Sequence, residues 1–433
     1  MRLYARPAYY LLQLLKNIHI SKENLARHQQ KKLKQVIKNS YDNVPYYNRL
    51  FKENNIRPED ISCINDLNKL PIITKNDMRE NIEYLLSKRY DVSGLIRYST
   101  SGSTGMPLPV YVDRREDDYR KAKHLRSNIV VGQKPWDSYV CITTPSHFGE
   151  IPSFMRRLGV FSREYISVFE DLDVQIEKIE RIKPDLLTGY SSSLYLLARE
   201  VEERGVTSIR PKLVLGGAEL SDEPSRRYVE RVFDAPFIDQ YAIVELEKIS
   251  WQCTERNEYH VDADSIIVQF VDENGEEVSE GERGEIVCTS LFNYAMPFIR
   301  YNVGDIGIPS SDECACDITL PTMRMIEGRK DSMLVLPGNR LVSPRNFNIA
   351  MNYFDGIRFI EQFRVIQEEI ESFKILLKLN EDAPDEQEII DDLTEHMYKT
   401  LKLDRNEIGF DVNVVDDIPK DKTGKLRAII SEI

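Results

Sequence analysis

The stretch Tyr98-Ser99-Thr100-Ser101-Gly102-Ser103-Thr104-Gly105-Met106-Pro107 decides how the rest of the chain is read. Apart from Tyr98 and Met106, every residue in it is Ser, Thr, Gly or Pro. Glycines let a backbone come close to an anion and turn its N–H groups inward, and hydroxyls add neutral donors. Such a loop can wrap a polyphosphate without a lysine. It is not a Walker loop, because no Gly-Lys-Ser/Thr follows at the required spacing. A plain Ser/Gly tether shares the composition. Here, however, the loop lies between strand-like Leu95-Ile96-Arg97-Tyr98 and Leu108-Pro109-Val110-Tyr111-Val112, which anchor it as a hairpin.

Upstream of the hairpin, residues 21–90 read as helices with short connections. Leu33, Val36 and Ile37 recur at helical spacing, and Tyr41-Asp42-Asn43-Val44-Pro45 breaks the pattern. Downstream, to about 330, short apolar runs alternate with helical stretches: Tyr139-Val140-Cys141-Ile142, Pro211-Lys212-Leu213-Val214-Leu215 and Glu285-Ile286-Val287-Cys288. Buried strands separated by helices imply an α/β body. Around 329–345 the chain turns rich in Gly, Pro, Asn and Arg and reads as a linker. Beyond it a small α+β unit follows, with a strand at Phe373-Lys374-Ile375-Leu376-Leu377-Lys378-Leu379 and a helix from Asp385 to Leu401. The expected architecture is α/β: a large multi-subdomain α/β N-terminal body and a small mobile α+β C-terminal domain. Residues 1–90 form the helical part of the large domain, 91–330 the nucleotide-binding α/β body and 331–433 the C-terminal domain.

With 433 residues, 41% apolar and 30% charged, the chain has material for large cores, and no apolar run reaches the roughly 20 residues that cross a bilayer. A net charge of −13 repels phosphate backbones and argues against nucleic acid as a partner. Any nucleotide must be held by local donors and a metal. Arg2, Arg6 and Ala8-Tyr9-Tyr10-Leu11-Leu12 faintly imitate a signal peptide, but Gln13 and Lys16 interrupt the run and no small-x-small site follows. An amphipathic helix packed on the body is expected, and a cytoplasmic location with it; a helix lying in a membrane interface is the alternative. Six cysteines in this length make no disulfide scaffold. Cys63, Cys141 and Cys288 sit in apolar or helical surroundings and read as core.

The hairpin loop resembles the phosphate loop of the adenylate-forming superfamily, which includes acyl-CoA synthetases, adenylation domains and luciferases. Leu108 stands where that loop usually ends in lysine, a departure shared with the phenylacetate–CoA ligase and capsular-polysaccharide-synthesis branch. Asn43-Val44-Pro45-Tyr46-Tyr47 and Leu70-Pro71-Ile72-Ile73-Thr74-Lys75 also resemble that branch. Five further motifs follow in the family's order. Gly216-Gly217-Ala218-Glu219 resembles the segment along the adenine ring, and two glycines after a strand let a flat base approach the backbone. Gln240-Tyr241-Ala242-Ile243-Val244-Glu245 is similar to Tyr-Gly-x-Thr-Glu, whose tyrosine stacks near adenine and whose glutamate holds Mg²⁺. Ala242 and Val244 replace Gly and Thr, which removes one hydroxyl near the α-phosphate; Glu247 competes for the metal role. Ile299-Arg300-Tyr301-Asn302-Val303-Gly304-Asp305 resembles Tyr-x-x-Gly-Asp, whose aspartate offers two oxygens to the ribose diol. Gly328-Arg329-Lys330-Asp331 resembles the hinge motif, with Arg329 reaching ribose or phosphate and Asp331 as pivot. Pro419-Lys420-Asp421-Lys422-Thr423-Gly424-Lys425-Leu426-Arg427 looks like the C-terminal motif, with Arg427 one place early; the resemblance makes Lys425 the lysine that bridges carboxylate and α-phosphate.

Cys253 and His260, with Cys314-Ala315-Cys316 further on, supply three thiolates and one imidazole, enough for a closed tetrahedral zinc site. These cysteines lie among charged residues, where burial gives no reason for them, and the capsular-synthesis branch carries cysteines and a histidine at similar places. Asp262 and Asp264 are alternative ligands.

The resemblance implies ATP, Mg²⁺ and coenzyme A as reactants and cofactors, with Ser99, Ser101, Gly102, Ser103, Thr104, Gly105, Gly217, Ala218, Glu219, Tyr241, Asp305 and Arg329 around the nucleotide and Glu245 and Lys425 in the chemistry. A carboxylic acid would become its acyl-AMP, and rotation about Asp331 would then admit a thiol. Tyr139, His147, Phe148, Tyr190 and Phe237 are expected to line the acid pocket, which suits an aryl or arylacetic acid. A carrier-protein thiol or an amine as acceptor, a homodimer, and a non-catalytic ATP-binding protein of the same fold remain open.

Overall fold

Pro45 has no backbone N–H to donate, so the helix before it ends and a new one starts with the proline in its first turn. The computed structural model describes residues 5–99, 108–143, 145–149, 157–168, 170–218, 221–310, 314–327, 334–342, 347, 350–351, 353–418 and 428–433. Helices α1 (Ala5–Asn17), α2 (Lys22–Asn43), α3 (Pro45–Glu53) and α4 (Lys75–Glu80) lead to the antiparallel hairpin β1 (Ile96–Ser99) and β2 (Pro109–Val112). The hairpin matches the flanks expected for the Ser/Gly loop, with Ser99 opposite Pro109. Helix α5 (Arg114–Val130) follows.

Strands β3 (Tyr139–Thr143), β4 (Arg163–Ser167), β5 (Leu186–Tyr190) and β6 (Leu213–Gly217) alternate with helices α6 (Leu172–Ile182), α7 (Ser191–Glu203) and α8 (Glu223–Phe233). They pair in parallel in the order β6-β5-β3-β4. The meander β7 (Phe237–Ile243), β8 (Glu247–Gln252), β9 (Tyr259–Val261), β10 (Ile266–Val271), β11 (Gly284–Ser290), β12 (Tyr301–Ser310) and β13 (Thr322–Glu327) comes next, running β10-β11-β12-β13-β9-β8-β7. The chain ends with a small hairpin, β14 (Leu334–Leu336) and β15 (Arg340–Val342), then β16 (Ile360–Glu369), β17 (Ser372–Leu379), helix α9 (Glu386–Leu401), β18 (Gly409–Val414) and β19 (Ile429–Ser431). Their sheet runs β18-β17-β16-β19. The hairpin falls where the composition reads as linker: Leu334 and Leu336 are buried and contribute to the core of the C-terminal sheet.

Two compact units result. One comprises Met1–Gln133 with Ile238–Ile326, the other Lys134–Phe237 with Glu327–Ile433. In the first, the apolar faces of α2 and α3, the hairpin and the meander share one core that includes Leu33, Tyr47, Val110 and Phe298. In the second, the parallel strands and their helices share a core around Val140, Leu187 and Leu197, and β16, β17 and α9 share another around Phe373 and Leu393.

Helix α5 departs from what its sequence suggests. It is the run Arg-Arg-Glu-Asp-Asp-Tyr-Arg-Lys-Ala-Lys-His-Leu-Arg, yet Glu116, Asp117, Arg120, Lys123 and Arg126 are all buried. Arg126 forks onto Asp264 at 2.9 and 3.0 Å, pairs with Asp262 and donates to the Leu14 carbonyl. Lys123 pairs with Asp262 at 3.0 Å. Buried charges survive only when paired and hydrogen-bonded, and this cluster fastens α1 to α5 as the amphipathic reading expects. It also occupies Asp262 and Asp264, which are therefore not metal ligands. Among the three remaining cysteines, Cys288 is buried, whereas Cys63 and Cys141 are only partly buried. Among the described residues no helix is long and apolar enough to cross a membrane.

Candidate active site

Glu245 sits in the short turn between β7 and β8, where a carboxylate would ordinarily point into solvent; it is buried instead. Its Oε1 accepts the Tyr301 hydroxyl at 2.9 Å and lies 3.5 Å from Lys75 Nζ. Lys75 arrives there because Leu70-Pro71-Ile72-Ile73 runs beside the start of β12: Ile73 N–H donates to the Arg300 carbonyl, and Asn302 N–H donates back to Ile73, both at 2.9 Å. Thr74 then caps α4, with Asp77 closing the capping box, and Lys75 becomes the first residue of that helix.

Arg120 of α5 joins Glu245 to the hairpin. Its guanidinium donates to the carbonyls of Val244 at 2.5 Å and Glu245 at 3.3 Å, and it stacks 5.0 Å from the centroid of the Tyr98 ring. The Tyr98 hydroxyl in turn donates to Asp117 at 2.6 Å. One buried side chain therefore fixes both the stem of the Ser/Gly loop and the turn bearing the candidate metal carboxylate. Arg120, Lys75 and Tyr301 were not singled out as site residues from the sequence. The paired charges of α5 were the available signal for Arg120, since a helix that charged without an apolar stripe must find its partners elsewhere. Glu247, the competitor for the metal role, is engaged: its carboxylate accepts from Lys248 N–H at 2.8 Å and lies 3.2 Å from His124 Nδ1.

Tyr241 and Asp305 are brought together. The Tyr241 hydroxyl donates to Asp305 Oδ2 at 2.5 Å, from β7 to β12. Gly304 precedes the aspartate with φ +78°, the left-handed region that a side chain resists, so the Gly-Asp pair is a backbone requirement as well as a chemical one.

A Cβ on Gly216 would meet Phe237 Cζ at 2.0 Å, so packing against Phe237 by itself requires a glycine here. Phe237 is itself buried in the core around the parallel strands. Gly217 ends β6 partly exposed, and Ala218 takes φ +64°, an uncommon conformation for a residue with a Cβ. At the carboxyl ends of β3 and β5, where open parallel sheets bind ligands, the Thr143 hydroxyl lies 3.5 Å from both His147 Nδ1 and Tyr190 Oη. Phe148 stacks on Tyr165 at 5.1 Å, while Tyr139, at the other end of β3, packs under Arg163. Tyr139 is thereby removed from that group.

Ser99 closes β1 and is exposed. Ser101, Gly102, Ser103, Thr104, Gly105, Glu219, Arg329, Asp331 and Lys425 lie outside the described residues.

Cys253, His260, Cys314 and Cys316 converge: their ligand atoms all lie within 4.8 Å of one another. Cys253 Sγ is 3.3 Å from Cys314 Sγ, and His260 Nε2 is 3.1 Å from Cys316 Sγ. Ligand atoms on a tetrahedral zinc with Zn–S bonds of this class stand about 3.8 Å apart, so the cluster has the right scale. His260 Nδ1 donates to the Leu320 carbonyl at 3.3 Å, which leaves Nε2 turned to the thiols, the usual outer-shell arrangement for a metal-binding histidine.

Comparison with known proteins places these features in context. Residues 335–432 match the model of the CapK C-terminal domain. The phenylacetate-coenzyme A ligase of Pseudomonas putida is 28% identical over 336 residues, covering 73% of each chain. Protein CapK of Staphylococcus aureus is 24% identical, covering 90% of this chain and 86% of its own. Among solved structures, 2-hydroxyisobutyryl-CoA ligase in the postadenylation state, in complex with R3-HIB-AMP, superposes with a TM-score of 0.78. That match covers 95% of this chain and 90% of the other at 18% identity, and it establishes a shared fold.

Proposed function

We propose that this chain, a relative of the phenylacetate-coenzyme A ligases and CapK whose residues 335–432 belong to the CapK C-terminal domain family, is an ATP-dependent ligase. It activates a carboxylic acid as an acyl-AMP and passes the acyl group to the thiol of coenzyme A. The observation that carries this reading is Arg120, which holds the stem of the Ser/Gly loop and the Glu245 turn on one wall. A Ser/Gly loop that springs from a stem held beside a buried carboxylate would make a seat for polyphosphate and its metal.

In the first half-reaction the acid's carboxylate attacks the α-phosphorus in line and pyrophosphate leaves. Glu245 is the residue to hold Mg²⁺, since this ion takes one or two carboxylates and completes its shell with substrate phosphates and water; the ion would offset charge on those phosphates. Lys425 neutralises charge that builds on the pentavalent phosphorus. Asp305 offers its carboxylate to the ribose diol, with Tyr241 holding it in place. Lys75, which faces Glu245 in the chain alone, supplies a second cation on the same wall, where the family's usual loop lysine is replaced by Leu108. In the second half-reaction residues 331–433 turn about Asp331, Lys425 withdraws and the thiol attacks the acyl carbon, releasing AMP.

The acid is an aryl or arylacetic acid in this reading, with Thr143, His147, Phe148 and Tyr190 around it. The testing experiment is acid-dependent exchange of labelled pyrophosphate into ATP across a panel of phenylacetate, its hydroxylated analogues and small hydroxy acids. One acid should stand out, and Lys425→Ala should abolish the exchange. ATP binding with no exchange under any acid would leave a nucleotide-binding protein without the chemistry.

We further propose that Cys253, His260, Cys314 and Cys316 hold a structural zinc. Four protein ligands leave no open coordination position, so the ion would brace the β8–β9 connection against the segment before β13 and take no part in the ligation.

A further inference from the structure

Helix α7 begins directly after β5, and near its end Arg199 leaves the helix surface to meet the C-terminal sheet. Its guanidinium donates to the carbonyls of Ile360 and of Glu361, the latter at 3.2 Å. These two residues open β16. Pairing between β16 and β17 slips there: Ile360 faces Leu379 and Gln362 faces Lys378, so Glu361 is the bulged residue and stands outside the ladder. A bulge re-aims backbone groups that a regular strand would spend on its neighbours. Here it presents two adjacent carbonyls to one terminal nitrogen of the guanidinium, Nη1, while Nη2 turns to Glu203. One residue further on, Gln362 Nε2 donates to the Ile418 carbonyl at 2.9 Å. Ile418 is buried and immediately precedes the segment that carries Lys425. Side-chain-to-backbone bonds therefore run from α7 through the bulge of β16 to the stem of that segment.

We propose that Arg199 is a positioning residue for acyl-adenylate formation: it docks the β16 bulge on α7, and through Gln362 it sets the stem of the Lys425 segment. The inference rests on the ligase reading above, in which Lys425 serves the first half-reaction and withdraws for the second. In this proposal the arrangement in which these carbonyls meet the guanidinium is the one that serves adenylation, and the contact is broken for thiol transfer. Arg199 also pairs with Glu203 within its own helix at 3.3 Å, which keeps the charge partnered when the carbonyls leave.

The test separates the half-reactions in the full-length chain. Arg199→Ala should slow acid-dependent pyrophosphate exchange by about tenfold, the loss expected for charge-assisted hydrogen bonds to two carbonyls. KM for ATP should be unchanged. Conversion of chemically prepared acyl-adenylate to thioester should stay within about twofold of wild type, because that step does not use the contact. Gln362→Ala should show the same split more weakly. Should Arg199→Ala fail to fold, Arg199→Met reads the same ratio while keeping the alkyl stem. Equal losses in both half-reactions, or no loss in either, would overturn the role. Wild-type protein that exchanges pyrophosphate with no acid would instead overturn the ligase reading, and this role with it.

Discussion

Tyr301 donates its hydroxyl to Oε1 of Glu245 at 2.9 Å, and both side chains are buried. The bond crosses from β12 to the β7–β8 turn and aims the carboxylate. A hydrogen bond to a charged group contributes about 1.5–3 kcal/mol. Without it the carboxylate is left, among the described side chains, to Lys75, and its orientation loosens. Tyr301→Phe keeps the ring and its T-shaped packing on Phe298. We expect this variant to raise the Mg²⁺ concentration for half-maximal pyrophosphate exchange by about tenfold, with a fall in Tm of only a few degrees. An unchanged Mg²⁺ dependence would remove Glu245 from the metal role.

The thiol–imidazole cluster predicts about one zinc per chain in purified protein. Cys314→Ser and Cys316→Ser should each bring that ratio close to zero, and chelation should lower Tm by several degrees, because metal-binding energy becomes folding energy. Trp251 offers a direct readout. It is one of two tryptophans, is buried, and its ring centroid lies 6.2 Å from that of His260. Cobalt loaded in place of zinc should quench its emission and develop thiolate absorption bands. Emission that is indifferent to cobalt, together with a negligible metal ratio, would dismiss the site.

The elements that sequence alone located are those with strong local signals. The apolar runs around 96–99 and 109–112, the break at Val44-Pro45 and the helix from 386 to 401 all depend on neighbours a few residues away. The Cys/His cluster was legible for another reason: those residue types have few uses on a polar loop. What escaped depends on partners far along the chain. Lys75 reaches Glu245 only because β12 runs beside residues 70–73, a pairing that no local pattern reveals. Helix α5 is highly charged, yet its buried Arg120, Lys123 and Arg126 find partners in Asp262, Asp264 and the carbonyls of Val244, Glu245 and Leu246. Gly216 likewise answers to Phe237, a neighbour that no local pattern reveals.

Gly216 therefore makes a sharp packing prediction. A methyl group there would lie 2.0 Å from Phe237 Cζ and 2.7 Å from Cε1, so ring or strand must shift. Overpacking of this kind costs about 1–3 kcal/mol. Gly216→Ala should lower the urea midpoint accordingly, and the double variant Gly216→Ala/Phe237→Leu should recover part of the loss relative to Phe237→Leu alone. Additive losses in that cycle would mean that the glycine serves something other than the phenylalanine.

Glu247 gives the fold a pH dependence whose sign is fixed by its surroundings. Burial alone would raise its carboxyl pKa. The His124 hydrogen bond and the charges of His124, Lys248 and Arg120 outweigh burial and bring the value down to about 2. A carboxyl held lower in the folded chain than in the unfolded one binds fewer protons when folded. Its contribution is then complete above the unfolded value, near 4.5, and fades as pH falls toward 2. A shift of that size corresponds to about 3 kcal/mol. In Glu247→Gln the interaction is absent at every pH. The difference in urea midpoint between wild type and variant should therefore be widest near pH 6 and shrink steadily between pH 4.5 and 3. A difference that stays constant across that range would assign the cost of the substitution to packing in the β7–β8 turn, and would leave the charge of Glu247 without a part in holding the turn that presents Glu245.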